Sequence, residues 1–433
     1  MRFPFSQQIT TTRALQLFQV MRLGAVIGTS VLLAKSGLPM ADIGLYEWLL
    51  YIGTVSTFFW VNGLLQGIAP MHGLLADSER RPFIFNSFIV FCGIATAVFC
   101  VLFFGKSYLL PVLAGRSELP YFGVFCVYLL FNLPTLTVEF IYLLQKKPHH
   151  IVGWGVMSFG LQLVVVFVPL WLGWGLGGSL TGLAGWALLK FAWTLGLVLH
   201  SGQSILRPDL IRQYLLFSAP LMLNVVVGNL IALFDNWLVG WHFHDEAVFA
   251  VFRYGSRELP LATALATALS AAMIPQLTAN FEGGMAELKT QTTRLMHVLF
   301  PLTIVMLFVT KPLFPLVFNP DFAASAPLFS IYLLITASRV LLPNALVLAK
   351  GEPAVIFRVG LLELSVKVVL GFLFIRWFGL IGVAWSAVLA FWVEKIGLLL
   401  FLQKKYGIRP SQWLDLRWYL GYVAVLIAAF LLT

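Results

Sequence analysis

The chain has 433 residues, of which 60% are hydrophobic and 11% charged, with a formal net charge of +10 and a mean hydropathy of +0.91. That excludes a soluble globular domain, in which about a quarter of the residues carry charge. The positive charge would suit nucleic-acid binding, but the basic residues are dispersed through short loops and form no patch, which argues against it.

Apolar segments of about 20 residues, the length that crosses a hydrocarbon core as a helix, recur along the chain. Backbone groups in lipid must be satisfied internally, so helices are predicted. The fold class is therefore all-α: a polytopic membrane protein of about 12–13 transmembrane helices. Spans are placed near 14–36, 45–68, 83–104, 121–144, 151–173, 179–199, 214–240, 247–276, 294–318, 323–348, 354–377, 379–402 and 416–433. The opening stretch MRFPFSQQITTTRALQLFQVMRLG has no small-residue cleavage site and carries Arg22 in its apolar run, so it reads as a retained first helix. Cys92, Cys100 and Cys126 all fall in apolar spans and are expected to be buried, inert thiols.

Lys and Arg in the loops set the orientation. With the N-terminus inside, every inside loop is basic, from Arg2 and Arg13 through Arg80, Lys146, Arg207, Lys289 and Lys350 to Lys404 and Arg417. The outside collects Lys35, Lys106, Arg116, Lys311 and Arg376.

An internal repeat is legible. GLAGWALLKF from Gly182 matches GVAWSAVLAF from Gly382, and Gly28 meets Gly228 at the same offset. Tyr128 and Tyr332 each open YLL, ahead of Lys146 and Lys350. These matches predict two pseudo-symmetric six-helix lobes, 1–205 and 206–405, followed by a basic loop and an extra helix at 406–433. The lobes share one membrane orientation, as in transporters built from parallel repeats.

The organising stretch is Leu216–Pro275. Its first span stacks Asn224, Gly228, Ile231 and Asp235 on one helical face, and its second carries Arg253, Ser256, Arg257 and Glu258 before Pro260. An ionised side chain at the bilayer centre costs about 2.5–3.5 kcal/mol even on insertion scales, so such groups pair or line a wet path. The basic residues inside spans are Arg22, Lys190, Arg253, Arg257, Arg339, Lys367 and Lys395; the acids are Glu47, Glu139, Asp235, Glu258, Glu363 and Glu394. Glu363 and Lys367, four apart on one face, read as a local pair. Lys190 and Lys395 read as snorkelling to the interface. Arg22, Arg253 and Arg257 read as lining a water-filled cavity between the lobes, with interhelical pairing, for instance to Asp235, as the alternative. Pro134 and Pro260 are the candidate hinges among the span prolines, and the LATALATALSAAM run after Pro260 reads mainly as a close-packing face. His242 and His244 beside Asp245 and Glu246 read as a solvated turn in preference to a metal site. No nucleophile motif or phosphate loop is present, so neither an enzyme nor a cofactor is indicated.

ADIGLYEW from Ala41, SAPLMLNVVVGNLIALFDNWLVG from Ser218 and AVFAVFRYGSRELPLATALATALSAAMIPQL from Ala247 carry a family likeness. Across about residues 10–405 the chain resembles the polysaccharide flippases of the multidrug/oligosaccharidyl-lipid/polysaccharide exporter (MOP) superfamily. It departs from them at Ala250, at Phe252 and in its lone thirteenth span. The resemblance implies a two-lobed, V-shaped bundle that works by alternating access in the cytoplasmic (inner) membrane. Its cargo would be an oligosaccharide on a polyprenyl diphosphate, moved outward for surface polysaccharide synthesis. Arg22, Arg253, Arg257 and Lys367 would bind the diphosphate, because guanidinium forks match phosphate oxygens. Asp235, Glu139, Glu258 and Glu363 would hold those cations when the site is empty, or couple transport to an ion. The partners implied are the lipid-linked oligosaccharide, membrane lipid and a glycan polymerase or ligase machinery, with no nucleic acid and a monomeric state. A multidrug exporter of the same superfamily and an integral-membrane glycan polymerase or ligase are the competing readings.

Overall fold

The structure is a computed structural model that describes residues 10–433, apart from the side chains of Asn224, Val225 and Val227. Arg2 and the Asn224 side chain, both used above, lie outside the described residues. Every regular element described is helical: α1 (Thr11–Lys35), α2 (Met40–Leu74), α3 (Asp77–Ala114), α4 (Phe122–Asn132), α5 (Val138–Leu144), α6 (Pro148–Trp171), α7 (Gly175–Ser201), α8 (Pro208–Phe243), α9 (Glu246–Gly255), α10 (Pro260–Ala279), α11 (Phe281–Val317), α12 (Ser325–Leu333), α13 (Thr336–Arg339), α14 (Pro343–Ala349), α15 (Pro353–Tyr406), α16 (Pro410–Trp413) and α17 (Leu416–Leu432), with short 3-10 turns at Leu133–Thr137 and Pro320–Ala324. Among the described residues ten helical segments are long and apolar enough to cross a membrane, or eleven if the two parts of α8 form one broken span. The protein is a multi-pass membrane protein.

The ten include α15 as a single segment, although it holds two spans, and the short last helix is not among them. The spans expected at 354–377 and 379–402 are both present, as two helical arms of α15 that meet where the backbone leaves helical geometry at Gly379 (φ 58°, ψ −137°). That conformation suits glycine, which has no side chain to clash. Side-chain neighbours mark two antiparallel arms: Gly382 against Phe374, Gly397 against Val359, and Lys405 against Glu352. The last expected span, α17, has 17 residues, slightly short of the length that a full crossing needs.

The chain divides into two compact units that meet within α8, residues 1–229 and 230–433. In the first unit α1 packs on α6, and α7 packs on both α4 and α6. Ala14, Phe18, Val138, Tyr142, Ile151 and Trp154 form one core cluster, and Ile84, Phe88, Ile141 and Val198 another. Pro134 stands in the 3-10 turn that separates α4 from α5, where its missing N–H costs no α-helical bond. The first half of α8 belongs here: the Tyr214 hydroxyl donates to the Leu64 carbonyl at 2.7 Å, and Met222 packs against Gly63.

In the second unit α10 packs on α11 and α14, and α12 on α9 and α15. The extra helix α17 packs on α11, with Phe300 stacked on Tyr422 at 5.1 Å and His297 Nδ1 hydrogen-bonded to the Tyr422 hydroxyl at 2.8 Å.

Glu352, just before α15, accepts hydrogen bonds from Lys405 and from the Tyr406 hydroxyl, clasping the base of the α15 hairpin. The Lys405 ammonium is the main cause that holds the Glu352 carboxyl below its ordinary value. A depressed carboxylate stabilises the folded state above its unfolded pKa, and that contribution is lost as pH falls through the folded pKa. Hydrogen exchange of residues 349–356 is therefore expected to be slow at neutral pH and to speed up below about pH 4.3. In Glu352→Gln it should be fast throughout.

Candidate functional site

The expected intramembrane charges form two sets, one inside each unit. In the first unit, Arg22 on α1 donates from Nη2 to Glu139 Oε1 at 2.8 Å and from Nη1 to Gln19 at 3.3 Å, with its guanidinium 5.1 Å from the Phe18 ring centre. The Arg22 side chain is 34% exposed while that of Glu139 is 3% exposed, so the carboxylate anchors a guanidinium that remains reachable. Lys190 on α7 is buried, and its ammonium meets Asn132 Oδ1 at 2.5 Å. Arg22 is close enough to act on it electrostatically. Among the described residues, no carboxylate lies within ion-pair distance of Lys190; Glu47 on α2 is a further buried acid of this unit.

The second unit pairs its charges more completely. Asp235 Oδ2 takes Lys367 Nζ and the Tyr332 hydroxyl, each at 2.9 Å. Glu258 holds Arg339 through two bonds, at 2.9 and 2.7 Å, and accepts from Thr263 at 3.1 Å. Glu394 takes Lys395 at 2.9 Å and Asn344 at 3.1 Å. Glu363 is 4% exposed, and its Oε1 finds no hydrogen-bond partner.

Several expectations are corrected at this level. Lys367 pairs with Asp235 and not with its helical neighbour Glu363. Gly371, one turn on from Lys367, lets Phe234 and Leu238 of α8 approach α15 closely, and this brings Asp235 to the lysine. Lys190 and Lys395 do not snorkel; each is buried with an acceptor beside it. Arg253 and Arg257 do not share a helix. α9 ends at Gly255, Arg257 lies in the connection, and Pro260 is the first residue of α10 and not an internal kink. Proline suits a first helical position because its missing N–H has no partner to lose there. Arg253 donates to Asn236 at 3.4 Å. Arg257 donates from Nε to the Arg253 carbonyl at 3.3 Å and sits 4.9 Å from the Tyr254 ring centre. Both arginines are half-buried.

Sequence reasoning missed Asn132, Tyr332 and Asn344 as partners of the buried charges. Their signal was a hydrogen-bonding side chain inside an apolar span.

A recess of about 240 Å³ lies in the second unit, lined by Ala266, Thr267, Ser270, Ala271 and Ile274 of α10 and by Arg339, Leu341, Leu342, Asn344 and Lys395.

No family model and no curated protein sequence matches the chain. Solved structures do. A lipid II flippase, MurJ, in an inward closed conformation aligns over 96% of this chain and 97% of its own, with 15% identity and a TM-score of 0.67. The fold is that of the MOP superfamily. An inward-facing multidrug resistance MATE-family member of that superfamily aligns over 92% of this chain and 100% of its own, with 15% identity and a TM-score of 0.61. A MOP transporter from Pyrococcus furiosus, described as having a binding pocket of reversed polarity, gives 15% identity over 90% and 93% of the two chains, with a TM-score of 0.56. A flippase and a drug exporter thus share the fold seen here, so the likeness is one of fold alone.

Proposed function

We propose that the chain is a transporter that flips a polyprenyl-diphosphate-linked oligosaccharide across the cytoplasmic membrane for surface polysaccharide synthesis. The observation that carries this is Lys190, a buried ammonium in the first unit with no carboxylate at ion-pair distance among the described residues. Glu139 pairs with Arg22, and Lys190 has only the neutral acceptor Asn132. A buried ammonium without a counter-ion is costly, and an anionic head group arriving beside Arg22 would relieve that cost. A diphosphate offers several charged oxygens to a guanidinium fork, while the prenyl tail can remain in lipid. A pump for cationic drugs would need the opposite, a carboxylate without a base. Arg253 and Arg257, half-buried around the α9–α10 connection, are further candidates for the diphosphate. Glu139 and Glu258 would hold arginines while cargo is absent.

The test uses cells that lack the chromosomal copy, with protein level held constant. The wild-type chain should restore surface glycan. Arg22→Ala and Lys190→Met should each lower export by about 10–100-fold, the size of a lost charge-assisted hydrogen bond. Normal export by the double variant would show that no anionic head is recognised there.

A further inference from the structure

The recess beside α10 is unusual in its lining. Two cationic side chains, Arg339 and Lys395, reach it, and neither of the carboxylates that hold them does. Glu258 binds Arg339 through Nε and Nη2, which leaves Nη1 uncommitted. Glu394 binds Lys395 once, and an ammonium carries three donors. Asn344 gives its Nδ2 to Glu394, and Thr267 and Ser270 bring hydroxyls to the lining. The opposite wall is made of alanines and hydroxyls, because α10 carries Ala266, Thr267, Ser270 and Ala271 there. The run that read as a packing face in the sequence is also the wall of a polar hollow.

We propose that this recess binds the phosphate ester of a single sugar. Anionic oxygens would take the free donors of Arg339 and Lys395, and the sugar hydroxyls would exchange hydrogen bonds with those of Thr267 and Ser270. A bare phosphate would leave much of the recess unfilled, and an uncharged sugar would leave the cations unmatched. A volume of about 240 Å³ falls below the roughly 300–1,000 Å³ of drug-sized sites, so the recess suits one sugar phosphate and not a whole oligosaccharide. The identification of the cargo's first sugar and its phosphate as the natural occupant rests on the flippase reading; the binding chemistry does not.

The experiment titrates full-length detergent-purified protein with glucose 1-phosphate, inorganic phosphate and methyl glucoside by calorimetry. Saturable binding of glucose 1-phosphate is expected, about tenfold or more tighter than either fragment. Ala271→Phe, which fills the recess without touching an ion pair, should abolish it; Thr267→Phe repeats the test if the first variant folds poorly. Thr267→Val/Ser270→Ala should reduce glucose 1-phosphate binding toward the level of inorganic phosphate. Equal affinity for the three probes, no saturable binding, or unchanged binding by a folded Ala271→Phe protein would each overturn the proposal. A wild-type chain that binds the probe as described but restores no surface glycan would sink the flippase reading and leave the recess standing. Restored glycan with unchanged probe binding by Ala271→Phe would do the reverse.

Discussion

Lys367→Met is expected to destabilise the second unit by about 3–5 kcal/mol, the usual consequence of removing one partner of a buried ion pair. Both side chains are almost wholly buried, at 3% exposure for Lys367 and 6% for Asp235, and their charged atoms are 2.9 Å apart. Asp235 Oδ1 already lacks a partner, so without the lysine its carboxylate would rest on the Tyr332 hydroxyl alone. Thermal unfolding of the purified protein should show the loss as a lowered midpoint. Asp235→Leu/Lys367→Met should recover most of it, since an apolar pair of similar volume often replaces a buried ion pair without loss. Tyr332→Phe should cost less, about 1–3 kcal/mol. The double variant also separates two roles for Lys367. Recovered stability together with failed glycan export would make its ammonium a contact for cargo; recovery of both would make it a strut. A single variant as stable as the wild type would mean that Asp235 is content without the lysine, and the pair would have no structural weight.

The membrane class and most spans were legible because hydrophobic length is a local property of the sequence. So was the presence of charge at depth, since an Arg or Lys in an apolar run stands out wherever its partner is. Partnership was not legible. Glu363 and Lys367 have the spacing of a helical pair, yet α8 delivers Asp235 to that lysine because Gly371 opens room for Phe234 and Leu238. Local spacing cannot report a helix that arrives from more than a hundred residues away. The break between α9 and α10 was legible in part. Pro260 reads in the sequence as a kink inside a helix, whereas the connection from Ser256 to Leu259 makes it a helix start. The recess escaped notice because its parts come from three places in the chain: a small-residue face, an arginine and an asparagine flanking a short turn, and a lysine on the far arm of α15. Each part alone reads as packing.

That far arm depends on two glycines, and Gly382→Ala is expected to be among the most damaging single-methyl additions in the chain. A Cβ on Gly382 would run into the carbonyl of Phe374, lying 2.6 Å from its carbon. Backbone cannot rotate aside as a side chain can, so the cost should exceed the roughly 1–3 kcal/mol of ordinary overpacking. Gly379→Ala should cost about 1–3 kcal/mol by a different route, forcing an L side chain into a left-handed conformation. The damage should spread along the hairpin, because its arms carry Glu363 and Lys367 on one side and Glu394 and Lys395 on the other. Prising the arms apart at the turn would shift Lys395 relative to Arg339 and Asn344, and with it the recess. Gly182 offers a comparison inside the first unit, since a Cβ there would meet the Val165 carbonyl oxygen at 2.8 Å across the α6–α7 turn. If both glycines serve as close-contact points between antiparallel arms, Gly182→Ala should lower the unfolding midpoint too, but less than Gly382→Ala, because its contact is less severe. Gly382→Ala with wild-type stability and undiminished glucose 1-phosphate binding would mean that the α15 arms separate freely, and the tight turn would lose its place as the element that sets the geometry of the second unit.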